Sequence, residues 1–218
     1  MSARTRIKIC GVSRPEDVTA AVDAGADAVG FVFHPGSPRY LTAEKAGVLA
    51  AALPPYVTPV GLFVNAVPAT IAAAVAVIPA LVLQFHGDET PEECAAAGRP
   101  YLRAARMAPG FDLLDFARRF DEAQGLLLDA HVEAYGGSGK VFDWSLVPRA
   151  VPHRLVLSGG LHAGNVGSGI RELRPWAVDV SSGVESARGV KDAAAIHAFC
   201  DAVREADALR VIHAASPA

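Results

Sequence analysis

A chain of 218 residues, 51% of them hydrophobic, is one domain's worth of sequence with ample material for a large core. Twenty Lys+Arg against 23 Asp+Glu leave a net charge of −3, which argues against a nucleic-acid or membrane surface, so an anionic ligand must be met by local donors. The cysteines (Cys10, Cys94 and Cys200) are odd in number, far apart and outside any metal spacing. A disulfide framework and a metal site are therefore not expected, and a reduced cytoplasmic setting fits. No signal peptide is recognisable at the N-terminus, and no apolar run approaches the ~18 residues of a membrane span.

Strand-like and helix-like segments alternate along the whole chain. Thr5–Cys10 reads as a strand, followed by a helix that opens at Arg14-Pro15-Glu16 and stops at Gly25, with proline in the first turn and glycine past the end. Ala28–Phe33 is the second strand, with Thr42 capping a helix over Ala43–Leu53. Val57–Val64 and Leu81–Phe85 are strands three and four, each followed by a helix that starts at a proline, Pro68 and Pro91. Tyr101–Ala105, Gly125–Asp129, Arg154–Leu157 and Ala177–Val180 complete eight strands. Helices are predicted within Asp112–Phe120, shortly after Asp143, within His162–Leu173 and over Lys191–Ala206.

Strands this uniformly apolar suit a parallel sheet buried on both faces. Eight β-then-α units favour a single (β/α)8 barrel of the TIM type over residues 1–218, with 212–218 as a loose tail. A doubly wound sheet is the alternative, weakened because no Gly-x-Gly-x-x-Gly follows the first strand.

In such a barrel the chemistry lies at the C-terminal ends of the strands. Strand one ends Lys8-Ile9-Cys10-Gly11, and alternation puts Lys8 and Cys10 together on the lumen side. Cys10 there is either an activated thiol or a small buried hydrophobe. Strand six carries one acid, Asp129, to its tip. Arg39 sits in a proline-stiffened loop, suited to an anion or simply solvated, and His86 is either pocket-lining or a satisfied structural histidine. Ser158-Gly159-Gly160-Leu161 and Ser181-Ser182-Gly183 follow strands seven and eight, where bare backbone amides build a phosphate site. Gly136-Gly137-Ser138-Gly139-Lys140 fails the nucleotide P-loop pattern, having Ala134 and Val141 where Gly and Ser or Thr are required, and reads as a loop adding amides to the same anion. A thiol and a carboxyl across a barrel mouth suit proton transfer on a small phosphorylated substrate.

The segments Lys-Ile-Cys-Gly (8–11), Ser-Pro-Arg (37–39), Gln-Phe-His-Gly (84–87), Leu-Leu-Asp (127–129), Gly-Gly-Ser-Gly (136–139), Phe-Asp-Trp (142–144), Ser-Gly-Gly-Leu (158–161) and Asp-Val-Ser-Ser-Gly-Val-Glu (179–185) together resemble the phosphoribosylanthranilate isomerases of tryptophan biosynthesis. The resemblance runs in order from residue 7 to about Asp192. Phe85 stands where the family usually has leucine, and Ser138 where it has threonine.

The resemblance implies an Amadori rearrangement of N-(5-phosphoribosyl)anthranilate, with Asp129 as general acid on the furanose oxygen and Cys10 as general base at C2′. Those roles ask Asp129 to hold a proton above its free value of about 4 and Cys10 to reach thiolate from about 8.5. Lys8 is expected to help by lowering the Cys10 pKa. The resemblance further implies Arg39 near the anthranilate carboxylate and Asp179 near the sugar hydroxyls. It places the phosphate on amides around Gly159, Gly160, Ser182 and Gly183, with Gly137 and Ser138 contributing. No cofactor or metal is needed, because only protons move. The expected partner is the small-molecule substrate, with the chain a monomer or homodimer. The alternatives are a sister phosphate-binding barrel acting on a related sugar phosphate, and a catalytically silent binding subunit.

Overall fold

The structure is a computed structural model that describes residues 4–130 and 141–215, with side chains as far as residue 210. Eight parallel strands close into a barrel in chain order. They are β1 Arg6–Cys10, β2 Ala28–Val32, β3 Thr58–Phe63, β4 Val82–Phe85, β5 Tyr101–Met107, β6 Gly125–Ala130, β7 Leu155–Leu157 and β8 Ala177–Val180. The helices are α1 Pro15–Asp23, α2 Ala43–Ala50, α3 Pro68–Val77, α4 Pro91–Ala96, α5 Leu113–Arg119, α6 Ala163–Leu173 and α7 Ala193–Ala215.

The helix starts follow from local chemistry. Proline opens α1, α3 and α4, where its missing N–H has no intrahelical partner to lose. Thr90 accepts from the Glu93 amide at 3.2 Å while the Glu93 carboxylate accepts from the Thr90 amide at 2.8 Å, a reciprocal cap for α4.

Side chains alternate across each strand. Ile7, Ile9, Val29, Phe31, Leu83, Phe85, Leu126, Leu128 and Val178 face outward into one continuous core under the helices. Ala104, Leu127, Val156 and Ala177 lie side by side on β5 to β8 and form a separate inward cluster. Lys8 and Cys10 fall on the inward face, as the alternation of Ile7 and Ile9 requires.

Three details depart from the sequence expectation. The described residues after β6 form only a 3-10 turn, Trp144–Leu146, so the sixth unit lacks a full helix there. A 3-10 turn at Ser182–Val184 and an antiparallel hairpin, β9 Glu185–Ala187 with β10 Val190–Lys191, stand between β8 and α7. Lys191 therefore belongs to a strand, and α7 begins at Ala193 and continues to Ala215. Among the described residues no helix is long and apolar enough to cross a membrane.

Phe63 is fully buried and stacks on Phe33 with ring centroids 5.0 Å apart. Phe63→Ala removes this contact and leaves a cavity, at an expected cost of about 3–5 kcal/mol. Urea unfolding is expected to show a lower midpoint with an unchanged slope.

Candidate active site

Cys10 ends β1 and is 3% exposed. Its thiol occupies space that only glycine on the neighbouring strand leaves open, since a Cβ on Gly30 would stand 2.8 Å from Sγ. Two residues earlier Lys8 donates to Asp179 Oδ1 at 2.8 Å, a buried ion pair between the first and last strands of the barrel. Ser158 Oγ, at the end of β7, lies 3.4 Å from the other oxygen of Asp179. Burial opposes the charge on Lys8, yet Asp179 outweighs it and holds the ammonium above its ordinary pKa. Burial also pushes the Cys10 thiol up, with Lys8 pulling it down and Asp179 pushing it further up. Lys8 thus acts in the expected direction, but its charge is shared with Asp179 and the net shift of Cys10 is upward.

Asp129 stands at the mouth on β6. Its Oδ1 accepts from the Ala130 amide at 2.8 Å, and its Oδ2 lies 3.0 Å from His86 Nε2. Gln84 Nε2 is 3.2 Å from His86 Nδ1. The His86 ring thus bridges Gln84 and Asp129, with its donor and acceptor nitrogens set by its tautomer. His86 consequently orients the acid. Gly159 closes over the same carboxyl, where a Cβ would stand 2.6 Å from Asp129 Oδ1, and its φ of +79° is one that side chains rarely adopt.

The loops after β7 and β8 meet beside this acid. Gly160 also has positive φ, +64°. A Cβ on Gly183 would overlap the Leu161 carbonyl oxygen, so the two loops touch in a way only glycine permits. The amides of Gly159, Gly160, Ser182 and Gly183 have no acceptor among the described residues. The four amides stand on two loops in contact with each other. Gly137 and Ser138 lie outside the described residues.

Arg39 is buried, its Cδ lying over Gly11. Its Nε and Nη2 grip Glu185 at 2.6 and 2.7 Å, which leaves Nη1 without a partner among the described residues. Glu185 Oε1 also accepts from Lys191 Nζ at 2.8 Å, and Lys191 donates to the Ser181 carbonyl at 2.9 Å. Burial works against the charge on Glu185, but Arg39 and Lys191 hold its carboxyl at about 2. Sequence reading missed Gln84, Glu185 and Lys191 as site residues. The only trace of Glu185 was its place at the end of the Asp-Val-Ser-Ser-Gly-Val-Glu run. Lys191 gave none, because a helix start explained it equally well.

Residues 7–202 match the family model described as N-(5'phosphoribosyl)anthranilate (PRA) isomerase. The chain belongs to this family. It is 69% identical over 205 residues to the N-(5'-phosphoribosyl)anthranilate isomerase of Methylibium petroleiphilum, covering 94% of this chain and 96% of that one. To the protein of the same name from Leptothrix cholodnii it is 65% identical over 214 residues, covering 98% and 97%. The crystal structure of the phosphoribosyl anthranilate isomerase from Thermus thermophilus superposes with a TM-score of 0.84 at 35% identity, covering 92% of this chain and 99% of that one. Another solved isomerase, in complex with reduced 1-(o-carboxyphenylamino)-1-deoxyribulose 5-phosphate, superposes at 0.80 and 39% identity with the same coverage. Among the described residues no His, Cys, Asp and Glu side chains group to hold a metal ion.

The Glu185 carboxyl is held at about 2, below the ordinary 4.5. A depressed carboxylate contributes stability that is fully present above its unfolded value and is lost as pH falls through its folded one. Wild-type unfolding free energy is therefore expected to drop between about pH 4.5 and 2 more steeply than that of Glu185→Gln, read by urea titration across that range.

Proposed function

We infer that this isomerase-family chain converts N-(5'-phosphoribosyl)anthranilate into 1-(o-carboxyphenylamino)-1-deoxyribulose 5-phosphate, a step of tryptophan biosynthesis. The observation that carries the reading is one thiol and one carboxyl, Cys10 and Asp129, on the rim of a single barrel, with the undonated amides after β7 and β8 in the arc between them. The solved relative that holds the reduced product supports the ligand class.

The phosphate sits on the amides of Gly159, Gly160, Ser182 and Gly183, and Gly137 and Ser138 add to it. Asp179 meets the sugar hydroxyls through the oxygen that Lys8 leaves free, and Arg39 takes the anthranilate carboxylate. His86 contacts the substrate only at the acid that it orients. Asp129 gives its proton to the furanose ring oxygen as the C1′–O bond breaks, its electron pair going to that oxygen. The nitrogen lone pair forms the C1′=N bond of a protonated Schiff base. The Cys10 thiolate then removes the C2′ proton, and the released pair neutralises the iminium as an enolamine. Tautomerisation to the ketone completes an isomerisation with no net gain or loss of electrons, so no redox cofactor is called for. The cycle closes when a proton leaves Cys10 and one returns to Asp129.

The chain is proposed to work in the cytoplasm as a monomer or homodimer. A solved relative is described as monomers generated from the dimeric isomerase of Thermotoga maritima.

Loss of anthranilate-type fluorescence from freshly made substrate tests the reading. Wild type is expected to turn over, and Cys10→Ser and Asp129→Asn are each expected to lose about 10²–10⁴ in kcat. No turnover by folded wild type overturns the function, and turnover that survives both changes overturns the mechanism. Since burial raises the Cys10 thiol, the thiolate fraction grows with pH. The rate constant kcat/KM is therefore expected to climb with pH from the neutral range upward. A flat profile there counts against Cys10 as the base.

A further inference from the structure

Five buried charged side chains surround the mouth of β1: the cations Lys8, Arg39 and Lys191, and the carboxylates Asp179 and Glu185. Lys8 and Asp179 neutralise one another at 2.8 Å. Glu185 must serve two cations, Arg39 at 2.6 Å and Lys191 at 2.8 Å. One positive charge is left unmatched. Buried surplus charge is costly unless an anion completes it.

The backbone shows where that surplus lies. In the β1–β8 register Lys8 pairs with Asp179 and Ile9 with Val180, so the next step sets Cys10 beside Ser181. A Cβ on Gly11 would come 3.2 Å from Ser181 Oγ, which places that side chain against the same turn. Lys191 Nζ donates to the Ser181 carbonyl at 2.9 Å and lies 3.4 Å from Ser181 Oγ.

We propose that Lys191 is a positioning residue for the reaction: its ammonium, held at the end of β1 by the Ser181 carbonyl and by a Glu185 carboxylate that it shares with Arg39, stabilises the Cys10 thiolate. The inference rests on the base role of Cys10 given above. The charged groups that face Cys10 are Lys8 on its own strand, Asp179 on β8 and Lys191 on β10, while β2 presents only Gly30. Arg39 and Glu185 stand behind Gly11. Lys8 acts on the sulfur more strongly but is matched by its own carboxylate, Asp179, whereas Lys191 shares its counter-ion with Arg39 and is only partly neutralised.

The test is the ultraviolet absorbance of the thiolate, titrated in the free enzyme and corrected by the same titration in a Cys10→Ser background. Lys191→Met is expected to raise the Cys10 midpoint by about one pH unit. Lys191→Gln keeps a donor toward Ser181 and Glu185 but no charge, so it is expected to behave like Lys191→Met. Lys191→Arg is expected to restore the midpoint. At neutral pH kcat/KM of the Met and Gln variants is expected to fall about tenfold, with the acid limb of the profile following the thiol. An unchanged midpoint in folded Lys191→Met and Lys191→Gln overturns the proposal, and so does full recovery by Gln, which marks a purely structural role. A midpoint that rises while the pH–rate limb stays fixed upholds the Lys191 effect and overturns Cys10 as the base.

Discussion

Closure of the barrel between β1 and β8 is the constraint on which the site depends. A parallel pair admits one register once both faces are buried, because a one-residue slip would turn Ile7 and Ile9 inward and Lys8 and Cys10 into the core. With the register set, Lys8 must meet Asp179, and Cys10 must stand beside Ser181. The pair is worth little as net stability, since desolvating two ions offsets most of their attraction. Its consequence is positional. Neither side chain can leave without stranding a buried charge, so the end of β1 is held against the end of β8, and a reactive thiol inherits that rigidity.

A second network of the same kind ties the loops to the rim. Glu185 lies outside the barrel strands, on β9, yet it holds Arg39 from the loop after β2 and Lys191 from β10. The Gly189 amide adds a fourth contact at 3.1 Å, and the turn it belongs to rests against the Pro38 carbonyl. One carboxylate thereby fixes the orientation of the Arg39 guanidinium.

Glycine supplies the other half of the site through absence. Gly30 leaves room for the Cys10 sulfur, Gly159 lets the chain pass over Asp129, and Gly183 lets two loops touch. The same tight turns that bring the loops together expose their amides, so the space needed by the chemistry and the donors needed by an anion come from one backbone geometry.

Much of this was legible from the residues alone. Near-continuous apolar runs with proline and Thr caps mark eight strands and their helices, because parallel strands buried on both faces and capped helix starts are local properties. Ala177–Val180 matches the structure end to end, and the helix expected from Pro68 starts there. Cys10, Asp129 and the glycines after strands seven and eight stood at strand ends, which the barrel architecture marks as chemical. What the sequence by itself determined was therefore the barrel, its order and which side chains stand at its strand ends. The tertiary structure alone decided how charge is distributed around those side chains. Lys191 lies 183 residues after Lys8, and no local pattern says that both approach Cys10 or that Glu185 is shared between two cations. Electrostatic balance is a sum over groups brought together by closure, so it has no counterpart in any short stretch of chain.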